Sequence, residues 1–134
     1  MNYWILKSEP ETFGWQDMKK KKTTHWDGVR NYQAQNNMKQ MKLGDLAFFY
    51  HSVIGKEIVG IVEVNKEFHP DHTDESGKWG MVDVKYKAEI KRPLTLAEIK
   101  ANPKLANLPL VKQSRLSVIP VSKEEWKVIT ALVS

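Results

Sequence analysis

Leu46-Ala47-Phe48-Phe49-Tyr50-His51 and Ile58-Val59-Gly60-Ile61-Val62-Glu63-Val64 are two short runs rich in Phe, Tyr, Ile and Val, separated by a loop around Gly55-Lys56. Aromatic and β-branched residues in runs this short favour strands, so the pair reads as a buried hairpin. Downstream, Val82-Asp83-Val84-Lys85-Tyr86-Lys87-Ala88-Glu89-Ile90 alternates apolar and polar residues, the pattern of a strand with one wet face. Upstream, Tyr3 to Lys7 alternates likewise and stops at Ser8-Glu9-Pro10, because proline supplies no ladder donor and restricts the residue before it. Leu116 to Val121 completes five strand candidates.

The helices follow from their start signals. Thr95-Leu96-Ala97-Glu98 matches a capping box and opens a helix that Pro103 ends; Ser122-Lys123-Glu124-Glu125 matches another and opens a terminal helix carrying Trp126 and Ile129. Thr12 to Thr24 holds Phe13, Trp15 and then Lys19 to Lys22, which suits one helical turn followed by a solvated loop. Trp26 to Ala34 reads as an irregular turn running into a helix with Met38 and Met41, closed by Gly44-Asp45. The polar stretch from His69 to Gly80 reads as a loop. Five strands interleaved with three or four short helices, without regular strand–helix alternation, predict a mixed α+β fold. The sheet is expected to be curled and mainly antiparallel, within a single domain over residues 1–134.

At 134 residues and 15.5 kDa, the chain leaves no room for a catalytic domain beside a recognition domain. Hydrophobic residues at 41% and charged residues at 28% are those of a globular domain and exclude disorder. The absence of cysteine removes thiolate zinc sites, disulfide scaffolds and cysteine nucleophiles, and fits a reducing compartment. The start, Met1-Asn2-Tyr3-Trp4, has no basic leader before an apolar run, and no stretch approaches the roughly 20 apolar residues of a membrane span. The expectation is a cytoplasmic protein with no membrane partner. A net charge of +5 makes an anionic partner plausible.

No phosphate-binding glycine loop and no nucleophile elbow is present. His69-Pro70-Asp71-His72 offers two imidazoles and a carboxylate, but Pro70 prevents helical pairing of the histidines, so a solvated loop and no metal site are expected. Pro70-Asp71 followed by Glu89-Ile90-Lys91 has the letter order of a metal-dependent nuclease, in which Asp71 and Glu89 would hold magnesium and Lys91 would stabilise the scissile phosphate. His51 and Ser52 are neighbours on a strand, so they point to opposite faces and do not form a base–nucleophile pair.

Trp4 and Trp126 sit among apolar neighbours in a strand and a helix and read as core. Trp15 and Trp26 lie in irregular segments beside Gly14 and Gly28, and either stack a nucleobase or anchor their loops to the core. Charge is uneven around them. Met18 to Lys42 carries seven basic residues against Asp27 alone, a net of +6, whereas Glu63 to Ser76 carries five acids against Lys66, a net of −4. A basic segment that also holds aromatic and amide side chains points toward nucleic acid.

Several ordered blocks then resemble one family. Tyr3-Trp4-Ile5-Leu6-Lys7-Ser8-Glu9-Pro10, Phe13-Gly14-Trp15, Trp26-Asp27-Gly28-Val29-Arg30-Asn31-Tyr32-Gln33-Ala34, Phe49-Tyr50-His51-Ser52, Ile58-Val59-Gly60-Ile61, Val82-Asp83-Val84 and Leu110-Val111-Lys112-Gln113-Ser114-Arg115-Leu116-Ser117-Val118 together look like an EVE domain. The resemblance implies a PUA-like fold, a curled β-barrel-like sheet surrounded by short helices. It also implies a non-enzymatic reader, without cofactor, of a modified base such as methylated or hydroxymethylated cytosine in DNA or RNA. It places Ser8, Glu9, Trp15, Trp26, Val29, Arg30, Asn31, His51, Ser52, Arg115, Leu116 and Ser117 around an aromatic-lined pocket. Trp26 would be the stacking platform and Val29 an apolar wall; Ser8, Asn31 or Ser52 would bond the base edge, and Glu9 would accept an exocyclic amine. Enclosure requires a flipped base or a single strand. Lys19, Lys20, Lys21, Lys22, Lys39 and Lys112 would contact phosphates. Gln35 stands where the family is often basic and Lys112 where arginine is common, departures that would alter phosphate contacts without removing the pocket. Cleavage or signalling would belong to an effector or nuclease partner, and a eukaryotic relative would be nuclear. The alternatives are the nuclease built on Asp71, Glu89 and Lys91, and a small-molecule or protein-interaction domain.

Overall fold

Six strands make one sheet in the computed structural model, which describes residues 1–134. They are β1 (Tyr3–Ser8), β2 (Thr23–His25), β3 (Leu46–His51), β4 (Glu57–Pro70), β5 (Gly80–Thr95) and β6 (Val118–Val121), in the order β2-β5-β4-β3-β1-β6. Only β1 and β3 run parallel, so the sheet is mainly antiparallel as expected. It has two free edges: it curls like a barrel without closing. The helices are α1 (Pro10–Phe13), α2 (Trp15–Lys21), α3 (Tyr32–Lys39), α4 (Leu96–Ala101), α5 (Pro109–Lys112) and α6 (Lys123–Val133), with one 3₁₀ turn at Pro103–Leu105. None is long and apolar enough to cross a membrane.

The two expected capping boxes form: Thr95 and Ser122 accept the N–H of Glu98 and Glu125, at 3.2 and 3.1 Å, while each glutamate reaches back to its cap. Phe48, Phe49, Ile5, Leu6 and Ile58 fill the interior with Met18, Met38 and Met41. Trp126 stacks on Phe48 at 3.9 Å, and buried Trp4 donates its indole N–H to Asp45 at 3.1 Å, so both are core.

The departures from expectation have physical causes. β2 was read as solvated loop; it is a three-residue edge strand of Thr and His beside the lysine run, too short to leave a period, and it exists because β5 offers it a partner from Asp83 to Lys85. β4 and β5 run well past Val64 and Ile90, and four register shifts along their pairing interrupt the alternation while bending the sheet. β4 therefore reaches Pro70, and Asp71 is only 2% exposed rather than part of a solvated loop.

Candidate nucleic-acid interface

Beyond the end of β1 lies a depression of about 590 Å³, walled by Ser8, Glu9, Thr12, Phe13, Lys21 and the segment from Thr24 to Arg30, with Ser117 opposite. Trp26 follows β2 directly. Its N–H donates to the Val82 carbonyl at 2.8 Å and its indole meets the Phe49 ring edge-on at 5.6 Å, so packing holds it and one part faces the depression, at 7% exposure.

The chain then turns through Gly28, whose φ of +78° is a left-handed conformation that favours glycine. Asp71 fixes this turn. Its carboxylate accepts the Gly28 N–H at 2.8 Å, the Arg30 guanidinium at 3.0 Å, and the N–H and hydroxyl of Thr73 at 2.8 and 2.6 Å. Burial opposes ionisation, but the Thr73 hydroxyl, the Gly28 N–H and Arg30 outweigh it and hold the carboxyl well below the usual carboxylate range. Gln35 supports the same turn: its amide donates to the carbonyls of Val29 and Gly80 at 3.0 and 2.8 Å and accepts the Gly80 N–H at 2.9 Å. It is buried and makes no surface contact, which corrects its expected bearing on phosphates.

A second depression, of about 640 Å³, lies on the other side of Lys7, Glu9 and Ser117, which line both. Tyr50, Ser52, Lys56, Lys100, Ser114 and Arg115 line it further. Lys7 donates to the Ser114 carbonyl at 2.9 Å, and burial lowers its pKa. Burial pushes the Tyr50 hydroxyl up to about 12, which keeps it a hydrogen-bond donor.

The structure thus gathers Ser8, Glu9, Trp26, Val29, Arg30 and Ser117 around the first depression and Ser52 and Arg115 around the second. Asn31, Leu116 and Lys112 border a shallower hollow with Arg115, where the Asn31 side chain caps α3 by accepting the Ala34 N–H at 2.9 Å. Trp15 and His51 are not gathered there. Trp15 is 5% exposed, lies between Phe49 and Tyr86 at 5.3 and 5.5 Å, and donates its indole N–H to Glu89 at 2.7 Å. His51 accepts the Trp15 backbone N–H at 3.0 Å, so it is the anchor of α2, and burial lowers its pKa against the pull of Glu57. Of the lysines expected to meet phosphates, Lys21 lines the first depression and Lys112 borders the shallower hollow. Lys19 pairs with Glu89 at 2.8 Å, Lys22 and Lys39 lie over the Tyr86 and Phe68 rings, and Lys20 is exposed.

Sequence reasoning missed Lys7, Thr24 and His25 as lining residues, and missed an aromatic pair beside Arg30, an exposed Tyr32 on a half-buried Trp79. Tyr32, 63% exposed, packs on Trp79 at 5.0 Å with Lys78 over both rings. Lys7 carried a signal, since strand alternation places it opposite Leu6; the Tyr32–Trp79 pair joins residues 47 apart and carried none.

The nuclease arrangement does not form. The Asp71 N–H pairs with the Trp79 carbonyl, and Glu89 lies ten residues further on, roughly 30 Å of strand at about 3.3 Å per residue. Two magnesium ligands must lie within a few ångströms of each other. Both carboxylates are also engaged, Asp71 by Arg30 and Glu89 by Lys19.

The EVE domain family model matches residues 2–132. Thymocyte nuclear protein 1 of Homo sapiens is 38% identical over 98% of this chain and 73% of its own length. Among solved structures, Rpa0253 from Rhodopseudomonas palustris is 48% identical with a TM-score of 0.94, covering 99% of this chain and 93% of that one. The human THYN1 protein, solved in complex with 5-methylcytosine containing DNA, is 38% identical with a TM-score of 0.91, covering 100% of this chain and 98% of that one. With the model spanning nearly every residue, the resemblance of the ordered blocks is borne out: this chain belongs to the EVE domain family.

Proposed function

We propose that this protein is a non-catalytic binder of DNA carrying a modified cytosine, with the base held in the depression at Trp26 and the flanking strand laid along the second, basic one. The observation that carries the reading is the conjunction of that depression with 38% identity to a human protein crystallised on 5-methylcytosine DNA. Its volume of about 590 Å³ suits a small-molecule-sized guest. Val29 and Trp26 supply apolar wall, while Glu9 is an acceptor for the exocyclic amine that cytosine has and thymine lacks. Lys7, Lys21 and Arg30 supply positive charge at the rim, and Lys56, Lys100 and Arg115 extend it. Asn31 and Lys112, in the adjoining hollow, are placed to hold a neighbouring phosphate.

A duplex base must be flipped to enter. One buried methyl contributes about 0.8 kcal/mol, so discrimination of methylcytosine from cytosine by contact alone is roughly fourfold. Fluorescence anisotropy with otherwise identical oligonucleotides carrying cytosine, methylcytosine or hydroxymethylcytosine tests the reading. Methylated DNA should bind best, and Trp26→Ala should weaken it by roughly 5- to 100-fold, the worth of one stacked base. Because Trp26 also packs on Phe49, Glu9→Gln at an exposed position serves as the second variant. Equal affinity for all three oligonucleotides, unaffected by either variant, would overturn the proposal; tighter binding of the RNA equivalents would move it to RNA.

A further inference from the structure

Three strands converge on a group of side chains of which only His25 also lines the base depression. Asp83 lies near the start of β5, His25 stands opposite it on β2, and His69 faces it from β4, beside the register shift between Lys66 and His69. His25 Nδ1 is 2.7 Å from Asp83 Oδ1, and His69 Nε2 is 3.2 Å from the same oxygen. One ligand atom from each residue lies within 4.8 Å of the others.

The His69 ring is already oriented. Its Nδ1 is 2.8 Å from the Glu67 carbonyl, an oxygen that can only accept, so Nδ1 carries the proton. That leaves Nε2 of the neutral ring as a bare lone pair; it is buried, has no hydrogen-bond partner, and is aimed at a carboxylate oxygen that is itself an acceptor. Two facing lone pairs 3.2 Å apart repel unless a proton or a metal cation lies between them. An imidazole that gives its far N–H to a backbone carbonyl while the near nitrogen stays free is the arrangement of metal-ligating histidines.

We propose that His25, His69 and Asp83 bind a divalent late first-row metal ion, zinc foremost. Bonds of about 2.0–2.1 Å at tetrahedral angles put ligand atoms about 3.3 Å apart. The His69–Asp83 separation of 3.2 Å already meets that, and His25, half exposed, has room to open its 2.7 Å contact. Two imidazoles and a carboxylate select zinc, nickel or copper over magnesium or calcium. The His72 ring has its centroid 4.9 Å from that of His25 and is the further side chain that could supply a fourth ligand; water would fill that position otherwise. The ion would join β2 to β4 and β5 through bonds rather than through a three-residue ladder, immediately before Trp26. It therefore stiffens one wall of the depression whatever guest that depression takes.

Calorimetric titration of tag-free, chelator-treated full-length protein with zinc chloride tests this. One equivalent should bind with a dissociation constant of about 10 μM or tighter, raising the thermal unfolding midpoint until EDTA is added. His69→Gln and Asp83→Asn should each weaken binding at least about tenfold, and so should His25→Gln, whose exposed side chain leaves the fold intact. Binding weaker than about 100 μM, or binding that survives His25→Gln unchanged, overturns the proposal and leaves a hydrogen-bonded cluster only.

Discussion

Asp71 and His51 show how single side chains fix the depression and its surroundings. Asp71→Asn keeps the shape of the side chain but removes the charge that Arg30 and the Gly28 N–H address, at a cost of about 1.5–3 kcal/mol in urea unfolding. The native carboxyl ionises more readily than one in an unfolded chain. Its contribution is therefore whole above about pH 4 and is lost as pH falls through the lower native value, so parent and variant should converge only in strong acid. His51 acts higher on the scale. Its native imidazole must stay neutral at Nε2 to accept the Trp15 N–H, and burial lowers its pKa, so the stability it contributes is present above about pH 6.5 and declines below it. Urea midpoints measured from pH 7.5 to about 5 should fall for the parent and stay flatter for His51→Gln. Neither role was legible in the sequence. Two of the partners of Asp71, Arg30 and Gly28, lie 41 and 43 residues away, and the loop reading of Pro70-Asp71 rested on local letters alone.

At the scale of elements, strands with regular alternation were legible and those shaped by their neighbours were not. The central runs of β3, β4 and β5 and both capping boxes announce themselves, whereas β2 and the outer halves of β4 and β5 depend on bulges and on a partner strand. Gly60 joins the two cases. It read as one more residue of an apolar run, yet any side chain there would overlap the Trp15 indole, which lies flat on the β4 backbone. Gly60→Ala should therefore destabilise by about 1–3 kcal/mol, as overpacking does, and should shift tryptophan emission as Trp15 leaves Phe49 and Glu89. DNA affinity should change much less, since Trp15 lines neither depression.

Over the whole molecule, the net charge of +5 conceals where the charge is useful. The lysine run from Lys19 to Lys22 dominated the sequence reading, but pairing and ring contacts occupy most of it; Lys7, Lys56, Lys100 and Arg115 come together around the second depression from four distant places. If both Lys100 and Arg115 meet phosphates, replacing the two by alanine should lower the slope of log affinity against log salt by about 1.8, with little change in preference among cytosine forms. The family was legible because its blocks keep their order from Tyr3 to Trp126, although the residues that brace the pocket lie outside those blocks. The place of β1 carries one more consequence, for synthesis. Lying between β3 and β6, it leaves the ribosome ahead of both, but its second flank stays unpaired until Val118 to Val121 emerge. Until then Trp4, Ile5 and Leu6 form an apolar edge open to any stray strand, so the nascent chain is prone to aggregate until β6 emerges and docks.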